Sequence, residues 1–351
     1  MSHPRIHAVL APDKAAIVMS DTGDQLSYSN LVDLMHQGSQ LLRSLEINTG
    51  DTIAIWLPNC LDYLAIYWAA QVSGLYITPI ATSLTGDEAA YIVENSQARL
   101  LIANQEIGGL EGLQKNLPDR LEHILLHDEW HARRASMPAK QIDDESAGFH
   151  MVYSSGTTGR PKGVRLPLPG GDPCAPHILA QTAADSYGMG AQSVYLSPAP
   201  LYHAAPLAFC TSSHRLGATV VVMPKFDPID ALSAIENHNV TITQMVPTMF
   251  VRMLKLPDEE RLSFDVSSLQ CVIHAAAPCP VDVKRKIIEW FGPIVFEYYG
   301  GSEGNGSTSI TSQEWLRKPG SVGRASWGKI HICNDEGDEL GFGEQGIVYF
   351  E

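Results

Sequence analysis

The stretch Tyr153-Ser154-Ser155-Gly156-Thr157-Thr158-Gly159-Arg160-Pro161-Lys162-Gly163-Val164 decides how this chain is read. Its twelve residues hold four aliphatic hydroxyls, three glycines and a lysine, directly after an apolar run. Glycines let a backbone turn its N–H groups toward an anion, hydroxyls add donors, and Lys162 adds charge. Charge-assisted hydrogen bonds contribute roughly 1.5–3 kcal/mol each, so a handful grips a nucleotide tail. By composition alone the stretch also reads as a polar surface turn. The P-loop pattern G-x-x-x-x-G-K-[ST] does not fit. Pro161 stands five residues after Gly156, and Gly163 follows Lys162.

The order of residues resembles the phosphate-binding signature of the adenylate-forming enzymes, roughly [YF]-[ST]-S-G-[ST]-T-G-x-P-K-G-V. That superfamily takes in acyl-CoA synthetases and peptide-synthetase adenylation domains. The resemblance implies that Ser154, Ser155, Gly156, Thr157, Thr158 and Gly159 bind the phosphates of ATP, with Lys162 as a catalytic residue.

Length and composition are consistent with this. A chain of 351 residues can bury a large core in roughly two domain-sized units. Its 44% apolar and 18% charged content describe an ordinary globular protein. A net charge of −15 argues against a nonspecific nucleic-acid binder, which needs a basic face. No apolar run reaches the ~18–20 residues of a membrane span. Residues Met1 to Ala8 lack a basic-then-apolar signal pattern, so the expected location is the cytoplasm. The six cysteines are scattered without a C-x-x-C pair and are expected to be reduced. His127 and His131 stand at i and i+4 and could share a metal on a helix, although neighbouring Arg133 and Arg134 suggest a solvated helix start.

Periodicity predicts alternating elements. Leu31 to Leu45 reads as an amphipathic helix, Thr52–Leu57 as a strand and Leu61 to Val72 as a helix. Strands are predicted at Tyr76–Ile80, Arg99–Ala103 and His123–His127, with a helix over Gly86–Asn95. Leu166 to Pro176, rich in proline and glycine, reads as an irregular connector. Further strands are predicted at Ser193–Ser197, Thr219–Met223, Thr241–Val246, Leu269–His274 and Ile294–Tyr298. Helices are predicted over Pro228–His238 and Val281–Phe291. This alternation argues for an α/β fold with mostly parallel sheets. From Gly320 the texture changes to short strands and glycine turns that stop at Glu351 in mid-strand, which suggests a truncated chain.

Tyr298-Tyr299-Gly300-Gly301-Ser302-Glu303-Gly304 follows a predicted strand, where open α/β sheets place ligands. Taken alone, Gly300 to Gly304 also satisfies G-x-S-x-G, the nucleophile elbow of α/β-hydrolases, with Ser302 as nucleophile. Few residues remain after it to carry an acid and a histidine; Glu314 and His331 are the candidates.

The adenylate-forming family carries Y-G-x-T-E in that place. The resemblance implies that Tyr298, Tyr299 and Gly300 bind ATP, with Tyr299 stacked on adenine. It makes Ser302 and Glu303 catalytic, Glu303 the Mg2+ ligand, and Gly301 part of the acid site. Ala276, Ala277 and Pro278 fall in a loop resembling G-[AGS]-[AS]-P near adenine and acid, with His274 departing from glycine. His203 and Val246 lie in segments that resemble the walls of the acid pocket. Gly320-Ser321-Val322-Gly323-Arg324 is similar to the family's G-S-x-G-x-P turn, with Ala325 replacing proline.

The implied fold is two stacked αβ subdomains over residues 1–320, then the start of a small β-barrel over 321–351. The family's C-terminal lid domain, with its catalytic lysine, has no counterpart in this sequence. The implied activity is that of an AMP-forming acyl-CoA synthetase using ATP, Mg2+ and CoA on a carboxylic acid. Small residues at Ala275, Ala276, Gly300 and Gly301, and apolar Val246, Met249 and Phe250, point to an apolar acyl group, as in fatty acid metabolism. A non-catalytic nucleotide- or acyl-binding remnant is the alternative.

Overall fold

The computed structural model describes residues 2–115, 117, 120–154 and 160–351. The chain divides into two units, Met1–Phe226 and Asp227–Glu351.

Unit 1 opens with α1 (Pro4–Leu10), β1 (Ala15–Met19), β2 (Gln25–Ser27) and α2 (Tyr28–Ser44). There follow β3 (Thr52–Trp56), α3 (Leu61–Val72), β4 (Tyr76–Pro79), α4 (Gly86–Ser96), β5 (Ala98–Ala103) and α5 (Leu110–Lys115). Next come β6 (His123–Leu126), α6 (His127–Ala135), β7 (Phe149–His150), and the hairpin strands β8 (Val152–Ser154) and β9 (Lys162–Val164). The unit closes with α7 (Ile178–Tyr187), β10 (Val194–Ser197), α8 (Ala204–Leu216) and β11 (Thr219–Val222). One sheet, ordered β6-β5-β3-β4-β7, is parallel throughout. In a second, β10, β11 and β1 pair in parallel and β2 adds an antiparallel edge.

Local chemistry sets the helix limits. Ser27 caps α2 by accepting from the Asn30 N–H. Thr85 and Glu88 form a reciprocal capping box on α4, which ends at Gln97 in the left-handed region, φ 59°. α3 is buried on every face from Asp62 to Val72, so it is a core helix rather than an amphipathic one. Each fully buried Leu or Ile on it, such as Leu64 and Ile66, contributes about 1.5–3 kcal/mol. His214 of α8 is pinned as a neutral ring. Its Nδ1 accepts from Trp68 Nε1 at 3.0 Å, and its Nε2 donates to the Ala16 carbonyl at 3.1 Å.

Unit 2 runs α9 (Pro228–His238), β12 (Ile242–Met245), α10 (Pro247–Leu254), α11 (Asp258–Arg261), β13 (Cys271–His274) and α12 (Val281–Phe291). It continues with β14 (Val295–Gly300), β15 (Ser307–Ile310), α13 (Ser312–Arg317), β16 (Arg324–Trp327), β17 (Ile330–Cys333) and β18 (Ile347–Phe350). Strands β12, β13 and β14 pair in parallel, β15 and β16 continue antiparallel, and β17 with β18 form a separate ribbon. Asp227 caps α9 and Pro228 fills its first turn.

The predicted helices at 61–72, 228–238 and 281–291 coincide with α3, α9 and α12. The strand expected to reach His127 ends at Leu126, because His127 already opens α6. Val246 leaves the strand as well and becomes the N-terminal cap position of α10. Among the described residues no helix is long and apolar enough to cross a membrane.

Burial lowers His36, His150, His177 and His214 to about 4 in unit 1; in unit 2, burial with the Lys284 charge lowers His274 to about 3. Each returns to about 6.5 on unfolding, so as pH falls the unfolded chain takes up these protons first. Their contribution to stability is complete above about pH 6.5 and is lost as pH falls toward 4. The thermal midpoint, followed by circular dichroism, should therefore drop steeply between pH 7 and pH 5. A midpoint flat over that range would contradict the neutral burial of these rings.

Candidate active site

In unit 1 the ladder between β8 and β9 pairs Val152 with Val164, Tyr153 with Gly163 and Ser154 with Lys162. Lys162 is exposed and makes no ion pair or side-chain hydrogen bond among the described residues. Ser155, Gly156, Thr157, Thr158 and Gly159 lie outside the described residues; Ser154 and Lys162 bracket them. Arg160 and Lys162 share a concave surface with Tyr91, Asn95, Pro161 and Gly163. Arg165, at the end of the hairpin, lies over the Tyr76 ring with 4.0 Å to its centroid. A local excess of cations thus sits on an acidic chain, as a phosphate site requires. His203 is the exposed cap residue of α8, its ring 4.6 Å from that of Tyr202.

Unit 2 gathers the other expected residues through its parallel strands. Met245 pairs with His274, and His274 with Glu297, so the segments that follow leave the sheet side by side. Val246 follows β12 and Ala276, Ala277 and Pro278 follow β13, whereas β14 itself continues through Tyr298, Tyr299 and Gly300 before the turn that holds Ser302 and Glu303. Ala276, Ala277 and Pro278 are exposed, and Ala276 adopts φ +74°, a left-handed conformation that strains a residue with a Cβ. Such strain is common where a backbone is held for a ligand. Burial raises the half-buried Tyr298 to about 12. Tyr299 is exposed, and one face of its ring stacks on Phe350 with centroids 6.2 Å apart. Met249 and Phe250 of α10 are buried, Phe250 edge-on to His274 at 5.6 Å.

Gly300 pairs with Ser307, which makes residues 301–306 the turn of a β-hairpin. The Gly304 N–H donates to the Gly301 carbonyl at 3.2 Å, placing Ser302 and Glu303 exposed at the tip. This overturns the hydrolase reading. A nucleophile elbow joins a strand to a helix, whereas this turn joins two antiparallel strands. His331 is also engaged elsewhere, with Nε2 2.9 Å from Glu351 Oε2 and Nδ1 3.3 Å from Glu339.

Two clusters were not fully legible in the sequence: Asp62 lies far along the chain from the His127–His131 pair already noted, and nothing local linked Lys284 to Glu297. In unit 1, Asp62 joins His127 and His131, whose Nε2 atoms each lie 3.2 Å from Asp62 Oδ2. Buried Arg134 pairs with the other Asp62 oxygen, and its Nη2 lies 3.0 Å from His131 Nδ1. Arginine only donates, so His131 Nδ1 accepts and its Nε2 carries the proton toward Asp62. Hydrogen bonds and the arginine charge thus occupy the positions a metal would use. Burial alone would raise the Asp62 carboxyl, but His127 and Arg134 outweigh it and hold it low. In unit 2, buried Lys284 of α12 lies 2.5 Å from Glu297 Oε2, with His274 Nε2 3.5 Å from the same oxygen. That ion pair ties α12 to β14.

The chain belongs to the AMP-binding enzyme family, whose profile matches residues 5–351. Among curated relatives, it is 27% identical to a long-chain-fatty-acid–CoA ligase of Mycobacterium tuberculosis, over 98% of this chain and 68% of that protein. It is 28% identical to the 2-succinylbenzoate–CoA ligase of Bacillus licheniformis, over 99% of this chain and 70% of that one. It spans 63% of the length of a matching Bacillus subtilis protein. Among solved structures, the N-terminal domain of FACL13 from Mycobacterium tuberculosis matches with a TM-score of 0.83 at 24% identity, covering 99% of this chain and 88% of that one. The fold is therefore that of the N-terminal domains of adenylate-forming enzymes.

Replacing Lys284 with methionine strands the Glu297 charge in the core and should cost about 3–5 kcal/mol in urea unfolding. Adding Glu297→Leu should restore most of that loss. A single variant as stable as the parent protein would contradict the buried pairing.

Proposed function

We propose that this chain is the nucleotide- and acid-binding domain of an AMP-forming acyl-CoA synthetase, an ATP-dependent acid–thiol ligase. What carries the reading is a phosphate-binding signature whose two ends, Ser154 and Lys162, pair across β8 and β9, within a chain that matches the family over almost its whole length. In this reading residues 321–351 begin the family's small β-barrel.

The reaction has two halves. A carboxylate oxygen bonds to the α-phosphorus of ATP while the bond to pyrophosphate breaks, its electron pair leaving with pyrophosphate. The thiol of CoA then attacks the acyl carbonyl and AMP leaves. The difficulty in the first half is bringing one anion onto another, so catalysis is mainly positioning and electrostatics. Lys162 suits that task as an exposed cation without an ion pair among the described residues, and Ser154 begins the segment of donors before it. Glu303 is an exposed carboxylate at a hairpin tip, outside the Asp62–His127–His131 cluster. A lone carboxylate fits Mg2+, which is held by one or two carboxylates plus phosphate oxygens. When bound, that ion would neutralise phosphate charge. Ser302 offers its hydroxyl to the α-phosphate, and Tyr299 presents its free ring face to the adenine, beside Ala276, Ala277 and Pro278.

The acid is best read as one with an apolar acyl group. Val246 is half-buried, Met249 and Phe250 of the adjoining α10 are buried, and Gly301 is exposed at the hairpin. His203 is the polar wall residue in this scheme. Relatives are named for quite different acids, so their names alone do not choose one.

Native mass spectrometry of the protein with magnesium-ATP and a pool of carboxylic acids tests the proposal. A bound species at the mass of one acyl-adenylate is expected, and Lys162→Ala should raise the ATP dissociation constant at least tenfold. No nucleotide adduct, even with excess AMP, would overturn the reading.

A further inference from the structure

We propose that Tyr91 and Asn95 are positioning residues for the phosphate-binding segment, clamping both arms of the β8–β9 hairpin to one face of α4. This rests on the reading that residues 154–162 bind the phosphates of ATP. On the first arm, Tyr153 Oη donates to Asn95 Oδ1 at 2.6 Å. On the second, Tyr91 Oη donates to the Pro161 carbonyl at 3.2 Å. Tyr91 and Asn95 stand four residues apart on α4 and so share one face. Arg160 adds a third contact, its guanidinium 5.2 Å from the Tyr91 ring centroid.

The clamp explains Gly163. A Cβ at that position would lie 2.5 Å from Met151 Cε, 2.9 Å from Tyr153 Cζ and 3.0 Å from its Oη, so a side chain there would crowd the Tyr153 ring that bonds Asn95. The clamp is also anchored. Ala89, Ala90, Ile92 and Val93 of α4 pack into a core cluster with Trp56 and Leu101, and the rings of Tyr91 and Tyr153 rest against it. Burial, with Tyr91 alongside, raises the Tyr153 hydroxyl, which therefore remains a donor. Fixing Ser154 opposite Lys162 removes ordering that phosphate binding would otherwise have to impose.

The test measures ATP and adenosine dissociation constants by calorimetry for Tyr153→Phe, Asn95→Ala, the double variant and Lys162→Ala. Each single clamp variant should weaken ATP about five- to tenfold, the effect of losing one hydrogen bond of preorganisation. Adenosine, lacking phosphates, should bind unchanged. The double variant should be no worse than the weaker single one, because both remove the same bond. If Lys162→Ala weakens ATP while the clamp variants stay within twofold of the parent protein, the clamp is refuted and the phosphate site stands. Equal weakening of ATP and adenosine would likewise refute it, as a general loss of structure. If Lys162→Ala leaves ATP binding unchanged, the phosphate reading itself fails, and the clamp with it.

Discussion

Parallel strand pairing is the constraint on which the rest of this structure depends. When neighbouring strands run the same way, the segments that leave them gather at one edge. In unit 2 the Met245–His274–Glu297 register sets β12, β13 and β14 side by side, so that Val246 and the Ala276 loop follow from neighbouring strand ends. The hydrogen bonds that make the sheet therefore also set where these candidate residues emerge. What the sheet does not fix, buried charge does. The Lys284–Glu297 pair braces α12 against β14, and the Asp62–Arg134 pair braces α3 against α6. Such pairs add little net stability over apolar packing, but each makes its own register costly to leave.

Electrostatics divides the molecule by depth. The chain carries a net charge of −15, yet Arg160, Lys162 and Arg165 cluster along a short hairpin segment. The buried histidines are kept neutral, as His214 illustrates with one nitrogen accepting and the other donating. Positive charge is thus concentrated on one short segment of an otherwise acidic chain. Solvent and chain dynamics act least on charges whose neighbours are already fixed, and this is why the anchoring of the hairpin matters.

Much of this architecture was legible in the sequence because the local signals agreed with the tertiary ones. Pro228 at a helix start and the apolar run of Thr52–Trp56 each specify their element unaided. α8 was not legible, since it is buried on several faces and lacks a clear amphipathic stripe. β15 was hidden because Ser307 to Ile310 is half polar and acquires its form only by pairing with β14. At the site, motif order pointed to Lys162 and Glu303, but nothing local pointed to Tyr91 or Asn95. Their partners lie 70 and 58 residues away, and only the fold brings them into contact. The G-x-S-x-G match failed for the complementary reason: a short pattern does not state whether a helix or a strand follows it.

The most direct test of the central claim is carboxylate-dependent exchange of labelled pyrophosphate into ATP, measured without any thiol present. Adenylation is reversible and releases pyrophosphate, so the account predicts that label enters ATP only when a suitable acid is added. An absence of acid-dependent exchange across a broad acid panel, in protein shown to bind ATP, would contradict it.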